Sequence, residues 1–175
     1  MAISHHSMQL QVACRGAALL KVGGMMAYST CSLSPIEDEA VVAELLRRCG
    51  GALELVDASG LLPGLERRPG LRTWGVCDGD LSWYDTYDDA RARSPAPGLF
   101  APSMWPPPPG AGGRAAPPLE RCLRLLPHLQ DTGGFFVALL RKRAPLPGPP
   151  GRPPRPLPPP GGTRLEPRPP RPSCA

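Results

Sequence analysis

The chain has 175 residues, with 27 Pro and 20 Gly and with 20 Lys and Arg against 15 Asp and Glu. That length suits one ordinary domain, and the Pro and Gly content is near the level at which low-complexity sequence begins. The six cysteines, at positions 14, 31, 49, 77, 122 and 174, include no Cys-x-x-Cys pair, no histidine stands at zinc spacing, and no apolar run is long enough for a bilayer. A disulfide scaffold, a metal site and a membrane span are therefore not expected.

Residues 1–7 carry no readable pattern, and His5-His6 reads as part of a mobile end. A helix is expected from about Leu10 to Leu20. Gly23-Gly24 then breaks the chain, and Met25-Met26-Ala27-Tyr28-Ser29 is a short apolar run bounded by turn residues, which reads as a buried strand. Ser34-Pro35-Ile36-Glu37 supplies a helix start, with Ser34 as cap, Pro35 at the first helical position and Glu37 closing a capping box. Apolar positions at Val41, Val42, Leu45, Leu46 and Cys49 continue that helix, Arg47-Arg48 occupy its last turn, and Gly50-Gly51 stop it.

Cys31 thus falls between a strand and a helix, outside the carboxyl end of the strand, where open α/β sheets bind ligands. A thiolate is a nucleophile, and helix amino termini favour it, although the acids Glu37, Asp38 and Glu39 oppose that field. By spacing alone, a cysteine near a strand end reads more readily as a small buried hydrophobe than as a nucleophile. A thiol hydrolase would need a histidine base beside Cys31, and three histidines in the chain support that weakly.

Leu53-Glu54-Leu55-Val56-Asp57 is the clearest further strand, and the chain from Asp57 to Pro118 is rich in loops. Trp83, Tyr84 and Tyr87 alternate with Asp80, Asp85, Asp88 and Asp89; the acids repel phosphate, so packing is expected there rather than base stacking. Arg121 to Leu126 and Phe135 to Leu140 read as an antiparallel hairpin with His128 in its turn. Arg141-Lys142-Arg143 reads as the solvated end of a strand, the rival use being nuclear import. From Ala144 onward the chain is mostly Pro, Gly and Arg, and is expected to be disordered and partly polyproline II. Most of the positive charge lies there, because Arg141 to Ala175 hold eight basic residues against Glu166 alone. Pro150-Gly151-Arg152-Pro153-Pro154-Arg155 fits a ligand of a proline-recognition domain, as a sequence this rich in Pro does readily by chance.

The stretch Lys21 to Val42, around Tyr28-Ser29-Thr30-Cys31-Ser32, resembles the Thr-Cys-Ser region of the NSUN family of RNA cytosine-5 methyltransferases. Leu119 to His128 and Asp131 to Leu140 resemble the terminal hairpin of the same fold. Leu61 to Leu65, Trp74 and Ser103 to Pro107 are spaced as in the eukaryotic tRNA-methylating branch. The resemblance implies an α/β fold: the C-terminal part of a Rossmann-like S-adenosylmethionine-dependent methyltransferase sheet with an antiparallel closing hairpin, followed by a disordered Pro-rich tail. It implies a partial catalytic domain over residues 8–143 and a tail over 144–175.

It also implies that Cys31 is the nucleophile. The thiolate adds to carbon 6 of cytosine, carbon 5 takes the methyl group of S-adenosylmethionine, and loss of the carbon 5 proton releases the thiol. The base must be unstacked to be reached. The family binds its donor with a glycine-rich turn, an acidic residue and an Asp-x-Pro-Cys motif, and none of these is in the chain. The expectation is therefore a lineage member acting on RNA, tRNA first, in the nucleus or nucleolus with the cytoplasm as alternative, but inactive as this polypeptide alone. The family reading puts the hairpin turn near the RNA, where Arg124 or His128 could contact phosphate or base; the equal alternative is a surface turn with a chance histidine, and neither residue is read as catalytic. The rival is a non-catalytic interaction fragment that presents its Pro/Arg tail to partners.

Overall fold

The computed structural model describes residues 2–108 and 115–148. The tail readings on residues 149–175, including the Pro150 to Arg155 ligand, lie outside the described residues.

A first helix, α1 (Ala2–Leu19), leads through a turn at Lys21–Gly24 to strand β1 (Met25–Thr30). After the Cys31 turn, helix α2 (Glu39–Arg48) runs back, followed by β2 (Leu53–Leu55). Three two-residue strands come next, β3 (Arg68–Pro69), β4 (Val76–Cys77) and β5 (Trp83–Tyr84), then a short helix α3 (Tyr87–Arg93). The chain closes with β6 (Leu123–Leu125), one helical turn α4 (Pro127–Gln130) and the long β7 (Phe135–Lys142). The architecture is α/β, with the expected antiparallel closing hairpin formed by β6 and β7.

Strand β7 organises the sheet. β1 pairs along one side of it, from Met25↔Arg141 to Thr30↔Phe136. On its other side β6 takes the first half, through Leu125↔Phe135 and Leu123↔Val137, and β2 the second, through Leu53↔Lys142 and Leu55↔Leu140. β3 extends the sheet beyond β6, and β4 and β5 form a separate pair. All these pairings are antiparallel. The period of two in β7 sends Phe136, Ala138, Leu140 and Lys142 inward.

Two apolar clusters result. The larger gathers Leu10, Ala13 and Ala17 of α1, Val41, Val42 and Leu45 of α2, and the inner residues of β2 and β7. The smaller joins Ile36, Val76, Tyr84, Ala90, Phe100 and Met104. Tyr84 packs edge-on against Phe100 and Tyr87 against Trp105, so two of the three aromatics pack as expected, while Trp83 is 61% exposed.

Three expectations are corrected. α1 begins at Ala2, not near Leu10, because His6 continues the buried stripe of Leu10, Ala13 and Ala17; its ring nitrogens lie 2.7 Å from the Ile36 carbonyl and 2.8 Å from Ser103 Oγ. The capping box does not form. Pro35 to Asp38 make a turn, and α2 starts at Glu39 with Asp38 as a cap that makes no side-chain capping bond. Glu37 is taken elsewhere: its carboxylate accepts from Gln9 and its carbonyl from the Tyr28 hydroxyl. Lys142 is not solvated either. It is 6% exposed, and its ammonium donates to the Ala17 and Leu20 carbonyls at the end of α1.

Glycine is needed at the end of α2, where Gly50 and Gly51 have φ of 60° and 90°. It is also needed at Gly70, where an added Cβ would stand 2.2 Å from the Leu119 carbonyl oxygen. That close approach seats β3 beside the turn that leads into β6.

Candidate functional site

Cys31 follows the last residue of β1 directly and is exposed. The other described cysteines are partly or fully buried: Cys14 and Cys77 are half-buried, Cys49 and Cys122 buried. Burial pushes the thiols of Cys49 and Cys122 upward, Cys122 strongly, which keeps them as inert thiols.

The turn bearing Cys31 is tied on both sides. Before it, the Thr30 hydroxyl donates to Asp38 Oδ1 at 2.6 Å. After it, Ser32 Oγ accepts from the Ser34 amide at 3.0 Å, and the Leu33 carbonyl accepts from Arg124 Nη1 at 3.0 Å. Thr30 Oγ1 also lies 3.3 Å from the Ser32 carbonyl, so one hydroxyl proton serves two acceptors.

Arg124 reaches this turn from β6 and is 6% exposed. Its Nε and Nη2 grip Glu39 at 2.7 and 2.5 Å in a two-pronged ion pair, and its guanidinium lies 5.8 Å from the centre of the Phe136 ring. Glu39 is fully buried and also accepts from the Leu71 amide at 2.8 Å. Asp38 fares differently. Its Oδ2 is 3.5 Å from Arg124 Nη2 but has no hydrogen-bond partner, because the arginine's fork is spent on Glu39. Burial therefore pushes the Asp38 carboxyl up to about 7, against the pull of the Thr30 hydrogen bond and the Arg124 charge.

The expectation that Arg124 faces RNA is thus corrected. Arg124 lies on the inner side of β6, as does Cys122 just before the strand, and the arginine is consumed by an acid on α2. His128 is exposed on α4. His6 has both ring nitrogens occupied and burial lowers its pKa, so it is not a base for Cys31. His5 lies 3.7 Å from Glu37. The inner acids Asp38 and Glu39 and their arginine escape a reading of the sequence; the available signal is an Arg spaced by two from Cys122 on a strand.

Two cavities stand out among the described residues. One of about 370 Å³ is lined by Pro63, Leu65, Glu66, Arg67, Arg68 and Leu129, and one of about 180 Å³ lies around Arg72, Pro107 and Pro118. Neither is bordered by Cys31. The Asp-x-Pro-Cys motif expected of the family's donor site does not occur in the sequence. Among the described residues there is also no cluster of three or more His, Cys, Asp or Glu able to hold a metal, and no helix long and apolar enough to cross a membrane.

Residues 2–61 match the family described as 16S rRNA methyltransferase RsmB/F. The chain is 47% identical over 150 residues to the multisite-specific tRNA:(cytosine-C(5))-methyltransferase trm4b of Schizosaccharomyces pombe, covering 83% of the chain and 20% of that protein. It is 46% identical over 141 residues to the tRNA (cytosine(34)-C(5))-methyltransferase of Drosophila melanogaster, covering 81% and 18%. A methyltransferase homologue from Pyrococcus horikoshii aligns with a TM-score of 0.48 at 24% identity, over 78% of this chain and 30% of that one. The chain spans about a fifth of the length of the curated relatives it matches. The matched family stretch includes α1, β1, the Cys31 turn, α2 and β2, the elements that place the thiol.

Proposed function

We propose that this chain is part of an RNA cytosine-5 methyltransferase acting on tRNA, with Cys31 as the nucleophile that adds to carbon 6 of the target cytosine. The observation that carries this reading is the exposed thiol on a doubly tied turn at the end of β1, among described cysteines that are otherwise withdrawn from solvent. The relatives named above are tRNA cytosine-5 methyltransferases by their own descriptions. In the proposed step the sulfur forms a bond to carbon 6, the carbon 5–carbon 6 double bond opens, and electron density moves to carbon 5.

S-adenosylmethionine is the donor implied by the family, whose Asp-x-Pro-Cys motif does not occur in the sequence. Residues 8–143 are read as a partial catalytic domain, and 144–175 as a tail. The 175 residues alone then transfer no methyl group. Incubation with tritiated S-adenosylmethionine and tRNA is expected to leave the tRNA unlabelled; sustained labelling contradicts that part of the reading. Nuclear residence is proposed as well, to be checked by imaging the tagged chain.

The absence of the family's Asp-x-Pro-Cys motif from the sequence favours a second reading, a non-catalytic fragment that presents its Pro/Arg tail to partners. The two readings part at the thiol. A 5-azacytosine-substituted tRNA, whose ring can take the Cys31 sulfur at carbon 6 and a proton at nitrogen 5 without methyl transfer, is expected to become bonded to Cys31 under the first and to no cysteine under the second.

A further inference from the structure

We infer that Arg124 is a positioning residue for Cys31, clamping the thiol-bearing turn to the start of α2 from the closing hairpin. This rests on the reading of Cys31 as nucleophile, and it names the group that would hold that nucleophile in place.

The geometry is specific to this side chain. One guanidinium makes three hydrogen bonds with a division of labour: Nε and Nη2 are fixed on Glu39, and Nη1 is left to hold the Leu33 carbonyl, two residues beyond the thiol. Glu39 is itself fixed by the Leu71 amide, so the anchor does not move with the turn. On the other side of the thiol, Thr30 is held by Asp38, whose second oxygen lies 3.5 Å from the same guanidinium. Arg124 thus holds one tie directly and lies within charge contact of the acid that makes the other. The carbons assist, since an added Cβ at Gly134 would meet Leu33 Cδ1 at 3.4 Å, which places the Leu33 side chain against the loop that precedes β7. A lysine carries its three donors on a single atom, so it cannot reproduce the planar fork that holds both Glu39 oxygens while a separate nitrogen reaches the Leu33 carbonyl.

The base presented by an RNA must meet the sulfur along a defined approach, whereas a small reagent need only collide with it. Arg124→Lys retains the charge facing Glu39 and releases the Leu33 carbonyl. In the whole chain, amide exchange at Ser34, whose N–H is held by Ser32 Oγ on the same turn, is expected to rise at least about tenfold, with Ala138 in the middle of β7 unchanged. Reaction of Cys31 with iodoacetamide should change by less than about twofold, because the thiol is already exposed. The adduct with 5-azacytosine-substituted tRNA should fall at least about tenfold. A purely structural role for Arg124 would instead raise exchange throughout the sheet and expose Cys49 and Cys122 to the reagent.

Should Arg124→Lys fail to fold, Glu39→Gln keeps the shape and weakens the same anchor, and the same separation of RNA adduct from reagent reactivity is expected. Unchanged exchange and unchanged adduct in the variants, with Cys31→Ser abolishing the adduct, overturn the positioning role and leave the nucleophile intact. An adduct that survives Cys31→Ser, or none with the unaltered chain, overturns the nucleophile and with it the purpose assigned to Arg124.

Discussion

The two flanks of β1 are built on opposite terms. Toward the Cys31 turn, the chain buries an arginine and two acids and satisfies all but one carboxylate oxygen. Away from it, β1 is an edge of the sheet among the described residues, with Met25, Ala27 and Ser29 exposed; on α1, Met8, Val12 and Leu19 are each about 70% exposed. Burying charge is costly, and it is repaid only through good geometry. Its presence under a two-residue tie to the thiol, where a leucine would fill space more cheaply, shows that the turn is specified and not merely packed. The open flank carries no such device, and an unpaired edge beside apolar side chains is a surface that seeks a partner.

The largest effect expected from this contrast is the removal of the clamp. Arg124→Met leaves Glu39 and Asp38 buried without their cation and should destabilise the fold by about 3–5 kcal/mol, read as a fall in the urea midpoint. Lys142→Met is next. It strips two carbonyls at the end of α1 of their donor while removing a buried charge, for an expected loss of about 1–3 kcal/mol by the same measurement.

A third expectation concerns pH. The groups facing Asp38 are Thr30 and Tyr28 from β1, Arg124 and Cys122 on the hairpin side, and Glu37 and Glu39 beside it. Its carboxyl is raised in the fold to about 7 from an ordinary 3.8, so the native state holds a proton that the unfolded chain releases. The stability this contributes is complete below the unfolded value and is lost as pH rises toward 7. His6 works in the opposite sense: its pKa is lowered in the fold, so its contribution is present above the ordinary value of 6.5 and lost as pH falls through the lowered one. Asp38→Asn should therefore remove the loss between about pH 4 and 7 seen in urea titrations, and His6→Gln should remove the loss on the acid side. Identical pH dependences in the unaltered chain and Asp38→Asn would contradict the assignment.

The smallest effect on stability belongs to the open edge. Ala27→Lys places a charge on the exposed edge strand and should change stability by less than about 0.5 kcal/mol, yet reduce self-association in sedimentation experiments. Undiminished association would move the adhesive surface elsewhere.

What is legible in the sequence is local. The strand from Met25 to Ser29, the double glycine after α2 and the alternation of β7 each write their structure within a few neighbouring residues, but the expectation that the Met25 strand is buried is corrected: it is the exposed edge of the sheet among the described residues. Cys31 is legible as a residue at a strand's end, and its exposure in the fold agrees with that placement. The clamp is not legible, because Glu39 and Arg124 are 85 residues apart and each alone reads as an ordinary charged residue. The capping box fails for a related reason: a local rule assigns Glu37 to its own helix, and contacts with Gln9 and Tyr28 from other elements outweigh it. Lys142 shows the same limit, since three consecutive basic residues look solvated until the strand's alternation turns the middle one inward.

The account depends most on the sulfur of Cys31. Its direct test is mass spectrometry of the chain after incubation with 5-azacytosine-substituted tRNA, in the unaltered form and as Cys31→Ser. The prediction is a nucleotide adduct on the peptide that contains Cys31, lost entirely in the serine variant. An adduct on another cysteine, or one that persists without the thiol at position 31, would contradict it.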